Sequence, residues 1–432
     1  MMQAYADYKD SGVDWLGEIP AEWDVKPGMV AFTENKRNNK GMKQDRVLSL
    51  SYGNIIIKPK EKLVGLVPES FETYQIIEAG DIIIRGTDLQ NDKTSLRTGL
   101  AKDDGIITSA YLSLRVRPNF SSRFLHYYLH TLDTSKMIYK YGSGLRQNLS
   151  FEDFKRLPVF DLPLPEQTAI ADFLDDKTAK IDELVGIKRR QIALLGERKQ
   201  ILIQNAVTKG LNPDAPMKDS GVDWIGKIPA HWRIAKLKLL TNKIVDGAHF
   251  TPTYVSDGIP FLRVTDLTKM KNGKIQWDSV RYIPVAEHIE LIKRANPEKG
   301  DVLLSKNGTI GLTKVIDWDQ EFSFFVSLCL IKLNKLIDSS YFTSFFNSPI
   351  VDKQISFGSS RTSVTNLHLE KIKELLVVLP PLEEQKTVVE AVGRISKPIE
   401  AAITIKQKQI TKLNEYKTTL INAAVTGKIK VV

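Results

Sequence analysis

The 432-residue sequence has a single cysteine, Cys329, set in the apolar run FSFFVSLCLI. A disulfide framework is excluded, and a reducing, cytoplasmic compartment is the expectation. With apolar flanks and no histidine near it in sequence, Cys329 reads as a small core residue rather than a catalytic thiol. No apolar run approaches the roughly 20 residues that span a bilayer. The N-terminal MMQAYADYKDSG lacks the apolar stretch of a secretory signal, so no membrane partner is expected. The phosphate-cradling G-x-x-x-x-G-K-[ST] and the dinucleotide G-x-G-x-x-G are both missing, and GSG at 142–144 is too short to stand for either. Asn-Pro-Pro-aromatic and Asp-Pro-Pro-Tyr stretches, used by amino-methyltransferases, are missing as well. The six histidines are scattered. His126 and His130 stand i, i+4 on an expected helix, but no third ligand is in view, so they read as a packed face and not as a zinc pair. The expectation is a chain with no catalytic constellation and no metal site.

The residues present point elsewhere. At 42% hydrophobic the chain can build real cores, and its length suits two or three domains. The formal charge is +10, which suits an anionic partner such as nucleic acid, although charge alone does not separate that from a merely basic protein. The clearest feature is a repeat. KDSGVDWLGEIPAEW at 9–23 returns as KDSGVDWIGKIPAHW at 218–232, with 12 of 15 positions identical. LPLPEQ at 162–167 is answered by LPPLEEQ at 379–385, and LIQNAVT at 202–208 by LINAAVT at 420–426. Each module runs from an opening segment through a variable region to a closing helix, and KGLNPDAP at 209–216 links the two. The design is a tandem pair with pseudo-two-fold symmetry.

The closing segments are expected to be long helices. From Glu166 to Val207 no proline interrupts, Pro165 sits at a favoured start, and Glu166 complements the helix dipole. Leu174, Ile181, Val185, Ile192, Leu195 and Leu202 recur at spacings of three, four and seven. Their counterparts 218 positions on are Val392, Ile399, Ile403, Ile410, Leu413 and Leu420, all apolar. A 3.5-residue period kept in both copies reads as a coiled-coil seam, with Lys188 and Lys406 falling on it at matched positions. The chain order makes the two helices antiparallel, each about 63 Å long at 1.5 Å per residue. Pro398 is expected to kink the second helix or to mark its start.

The variable regions share a plan more than a sequence. Each has β-type runs (RVLSLSY, PFLRVTDL), a strand that begins Gly-Asp (GDIIIR, GDVLLS), a long strand, an aromatic helix and a Gly/Ser/Arg loop. Their loops carry different polar residues of the kinds that contact phosphates and base edges. In the first copy these are Lys36, Arg37 and Asn38; Tyr52 and Asn54; Arg85, Thr87 and Gln90; and Arg146, Gln147 and Asn148. In the second they are His249, Thr251 and Tyr254; Arg263 and Thr265; Lys306 and Asn307; and Ser359, Arg361 and Thr362. Arg146 and Arg361 stand out, because glycine freedom beside them allows close approach to a duplex. Any one of these is also an ordinary loop residue. The signal is a shared frame carrying divergent loops.

Two variable regions alternating with two matched helices, and the LPLPEQ/LPPLEEQ boundary, resemble the specificity (S) subunit of type I restriction-modification systems. DGAHFTPTYVSDGIPFLRVTDL at 246–267 looks especially like a target recognition domain of that family, and the first copy departs from this pattern. The resemblance covers essentially the whole chain. It implies an α+β fold: two globular target-recognition domains (1–160 and 211–378), each a twisted, mostly antiparallel sheet with helices, joined by two long spacer helices (161–210 and 379–432) in an antiparallel coiled coil. It also implies the partners. Double-stranded DNA would be read as a bipartite asymmetric site, and two methyltransferase (M) subunits would dock on the helices and methylate adenine. Restriction (R) subunits would join through the complex. No cofactor would bind this chain; S-adenosylmethionine would sit on the methyltransferase, and ATP and Mg on the restriction subunit. Competing readings are a non-catalytic tandem-repeat adaptor for a protein partner, and a self-contained methyltransferase or nuclease, against which the missing motifs argue.

Overall fold

The structure, a computed structural model, describes residues 3–59, 61, 70–91, 96–142, 147–271, 273–357 and 366–431. It divides into two compact units, one formed by Met1–Lys188 with Lys408–Val432 and the other by Arg189–Gln407.

Each unit is built on a four-stranded antiparallel sheet. In the first the order is Phe32–Glu34, Leu112–Val116, Ile82–Ile84, Thr98–Leu100. In the second it is Thr241–Asp246, Leu328–Leu333, Val302–Ser305, Thr313–Val315. The Gly-Asp strand is an inner strand in both, and its residues are buried in both, as the apolar runs Ile82–Ile84 and 302–304 require. The aspartate that opens it is structural. Asp81 is buried and accepts from Nε and Nη2 of Arg115 on the next strand, each at 3.0 Å, and from the Glu78 amide at 2.9 Å. Asp301 repeats this with Lys332 at 2.6 Å and the Glu298 amide at 2.9 Å. Beyond this shared frame the units differ. The first adds a hairpin, Leu48–Ser51 with Asn54–Ile57, and a two-stranded antiparallel pair of distant segments, Gly105–Ile107 with Gln75–Ile77. The second adds a three-stranded sheet centred on Ile259–Leu262, which pairs antiparallel with Arg281–Ile283 and parallel with Ser323–Phe324.

An aromatic helix packs into each core. Ser122–Thr134 buries Phe124, Leu125, Tyr128 and Leu129, and is capped by the Ser121 hydroxyl. Ser339–Phe346 buries Tyr341, Phe342, Phe345 and Phe346, and is capped by Asp338. The Tyr128 hydroxyl donates to the Pro158 carbonyl, and the Tyr341 hydroxyl to that of Val378. These carbonyls belong to the strands that lead into the long helices.

The repeated opening segment finishes the start of each long helix. It forms a short hairpin, Tyr8–Asp10 with Glu18–Pro20 in one unit and Met217–Asp219 with Lys227–Pro229 in the other, followed by a fully buried Trp23 or Trp232. The Trp23 indole N–H donates to Glu166 at 3.1 Å, and that of Trp232 to Glu384 at 2.8 Å. The adjoining Gln167 and Gln385 are buried; each accepts from the cap residue of the aromatic helix (Ser121 or Asp338) at 2.8 Å. Thus the Glu-Gln pair at the boundary joins three elements. Gly427, at φ +72°, follows the second helix, and a Cβ there would lie 2.3 Å from Pro20, so only glycine fits.

The long helices are Leu164–Lys209 and Leu382–Val425. Pro398 therefore lies inside the second helix and does not begin it. In the first unit Leu174, Ile181, Val185 and Leu420 are buried in one core against which Ile410 and Leu413 pack, and Lys417 pairs with Asp182 at 2.7 Å. In the second, Ile192, Leu195, Leu202, Val392, Ile399 and Ile403 are half-buried. There Lys406 donates to Gln191 at 2.7 Å and Lys199 pairs with Glu400, so numbers rise on one helix as they fall on the other. The helices pair antiparallel along the seam read from the sequence. Among the described residues no helix is long and apolar enough to cross a membrane.

Candidate nucleic-acid interface

The Gly-Asp strand ends in a loop, and in both units that loop meets the segment just before the short helix that precedes the closing strand. In the first unit the Leu149 amide donates to the Gly86 carbonyl at 2.7 Å, and the Asp88 amide to the Asn148 side chain at 2.9 Å. Gly86 is required, since a Cβ there would meet the Leu149 carbonyl at 2.7 Å. In the second unit the Leu367 amide donates to the Lys306 carbonyl at 2.8 Å, and Asn307 bridges to Asn366. A common backbone junction thus presents two divergent sets of side chains.

In the first unit Thr87, Gln90, Gln147 and Asn148 are exposed around this junction, with Arg85 half-buried beneath them. Asp88 and Gln147 hold left-handed backbone, at φ +57° and +49°. Lys36, Arg37 and Asn38 are exposed on a neighbouring loop; Lys36 pairs with Glu34 and Arg37 with Glu78. Tyr52 stands apart on a hairpin tip, 86% exposed at φ +46°, with Asn54 donating to its carbonyl at 3.3 Å.

In the second unit His249 and Thr251 are exposed beside Phe250, itself 55% exposed. The His249 Nε2 lies 3.5 Å from Asp246, and the buried Lys306 ammonium pairs with the same carboxylate at 2.8 Å. Lys306 is therefore an internal strut of the loop. Arg263 is half-buried and spans both oxygens of Asp266 at 3.2 Å, with Thr265 exposed next to it. Tyr254 is half-buried, and the Arg281 guanidinium lies 4.4 Å over its ring. A cavity of about 200 Å³ opens behind the loop, lined by Asp246, His249, Phe250, Leu291, Arg294 and Phe324 among others. Arg146, Ser359, Arg361 and Thr362 lie outside the described residues.

The remaining groups are packed. His126 and His130 are half-buried, and their partial desolvation first of all pushes both rings down to about 4. Burial raises the Cys329 thiol far above its ordinary range, so it is not a thiolate near neutral pH. Among the described residues no group of three or more His, Cys, Asp or Glu is placed to hold a metal ion. Sequence reasoning missed Arg97 and Asp246, because a charged residue in a loop-rich stretch normally signals surface. Phe250 did carry a signal, lying within the DGAHFTP run.

The fold and the paired loops define a tandem-repeat protein whose two units present unlike polar loops on a common frame. Residues 247–415 match the family model described as the type I restriction modification DNA specificity domain. The chain is similar to specificity subunits of type I restriction-modification systems. It is similar over nearly its whole length to a specificity subunit assigned to the type I restriction enzyme MjaX of Methanocaldococcus jannaschii, with 26% identity over 96% of each chain. It is 23% identical to the type I restriction enzyme EcoBI specificity subunit of Escherichia coli, over 62% of this chain and 57% of that one. Among solved structures, a chain from a study of assembly and conformational transition in a type I restriction-modification system shares the fold at TM-score 0.67 and 14% identity, covering 94% of this chain and 98% of that one.

Proposed function

We propose that this chain is the DNA sequence-recognition subunit of a type I restriction-modification complex, with no catalysis of its own. Each unit reads one half of a bipartite, asymmetric site. The antiparallel helices set the distance between half-sites and dock two methyltransferase subunits, which bind S-adenosylmethionine and methylate adenine. The restriction subunit, with its ATP and Mg, joins through that complex. The observation that carries this reading is the shared junction with unlike side chains: Thr87, Gln90 and Asn148 in one unit, Lys306, Asn307 and Asn366 in the other. A protein-binding adaptor has no need of two differing polar loop sets on matched frames beside a net charge of +10. Hydroxyl, amide and imidazole groups are the side chains that read base edges, and the neighbouring lysines and arginines suit phosphates.

The test uses labelled S-adenosylmethionine and mixed DNA. The chain alone should transfer nothing above background. The chain with its cognate methyltransferase should modify one bipartite motif. Robust transfer by the chain alone, or transfer by the complex without sequence preference, would overturn the reading.

A further inference from the structure

Arg97 is fully buried, in a unit whose surface is rich in charge. A desolvated guanidinium is kept in a core only when its N–H groups are satisfied. Here they are satisfied chiefly by carbonyls. Nη1 donates to the carbonyls of Arg85 at 3.0 Å and Thr87 at 2.7 Å, and Nη2 to that of Asp88 at 3.2 Å. Nε donates to the Tyr139 hydroxyl at 3.1 Å, and the guanidinium lies 5.5 Å over that ring. From below, the Asp133 carboxylate accepts the Arg97 amide. Three carbonyls of one loop therefore converge on one rigid planar fork. The chain must curl to deliver them, and Asp88 takes its left-handed conformation within that curl. Thr87 and Gln90 are left on the exposed side.

The second unit holds the corresponding loop by other means. Ser305, also fully buried, donates its hydroxyl to the Thr309 carbonyl at 2.5 Å and accepts from the Leu312 amide at 2.9 Å. One hydroxyl closes that loop where a guanidinium closes the other.

We propose that Arg97 is a positioning residue for sequence discrimination in the first unit: it moulds the 85–90 loop without touching DNA, and Ser305 does the same for the second. The inference rests on the two-reader function above. Because the two devices differ chemically and lie in different units, each half-site can be loosened separately.

Arg97→Lys keeps the charge but cannot reach three carbonyls with a planar fork. In the complex with the methyltransferase, methylome sequencing should show one half-site losing about tenfold in discrimination against single-base changes, near the low end of what a mismatched pair costs. The other half-site should be unchanged, and Ser305→Ala should give the reciprocal pattern. Salt dependence of DNA binding should not move, because no phosphate contact is removed. If Arg97→Lys yields no folded complex, Tyr139→Phe decides the matter, and a smaller relaxation of the same half-site is expected. Undiminished discrimination at both half-sites overturns the inference while the two-reader function stands. An even loss of methylation at both, tracking a lower melting temperature, also overturns it, since that is plain destabilisation. A wild-type complex that methylates no bipartite motif sinks both.

Discussion

At the scale of residues, the boundary pair Glu166-Gln167 shows how much a short motif can hold. Trp23 and Tyr5 both donate to Glu166, and the Ser121 amide donates to Gln167. Glu384 and Gln385 repeat the arrangement with Trp232 and Asp338. Glu166→Ala leaves a buried indole N–H without its acceptor, which should cost about 1–3 kcal/mol in urea denaturation followed by tryptophan fluorescence. Glu166→Gln, which still offers a carbonyl oxygen, should cost less. An unchanged midpoint in both would mean the carboxylate is not what seats the opening segment. The repeated LPLPEQ and LPPLEEQ marked a boundary in the sequence, but their partners lie far along the chain, so the joint itself could not be read there. The same holds for the loop residues. Lys306 and Gln90 look alike as polar loop positions, yet one is buried against Asp246 and the other exposed. Pairing across the fold decides which charge is already committed, and a sequence does not display pairing.

At the scale of elements, the long helices were the most readable part, because a 3.5-residue period over four heptads, Leu174 to Leu202, is a purely local signal. The seam residues named from that period are all buried or half-buried. Their ends extend slightly past the expected span, to Leu164 and Lys209 in the first helix. Pro398 is tolerated inside the second. The strands were readable as runs but not as sheets: the order with Leu112–Val116 between Phe32–Glu34 and Ile82–Ile84 arises from contacts between distant segments. If the helices act as the ruler between half-sites, four residues added after Leu195 should lengthen the first helix by about 6 Å. At about 3.4 Å per base pair, the preferred spacer should grow by one or two base pairs. The half-site sequences should stay the same. Some loss of stability should accompany the change, because four residues shift the heptad phase. A methylome with the old spacer and full activity would show that helix length is not the ruler.

At the scale of the whole molecule, the duplicated frame explains why the chain states its opening segment twice. Each unit needs the same seat for its buried tryptophan, the same Glu-Gln joint and the same central Gly-Asp strand. Between those fixed points the units are free to differ, and they do: one adds two two-stranded antiparallel pairs, the other a three-stranded sheet with a parallel member. A fixed frame with independent variable parts is what one reader per half-site requires. The most direct measurement is therefore an exchange of residues 234–375 for the matching region of a similar type I specificity subunit, followed by methylome sequencing of a host that supplies the methyltransferase. One half of the methylated motif should change to the donor's half-site, with the other half and the spacer retained. If both halves change, or neither does, the assignment of one half-site to each unit is wrong.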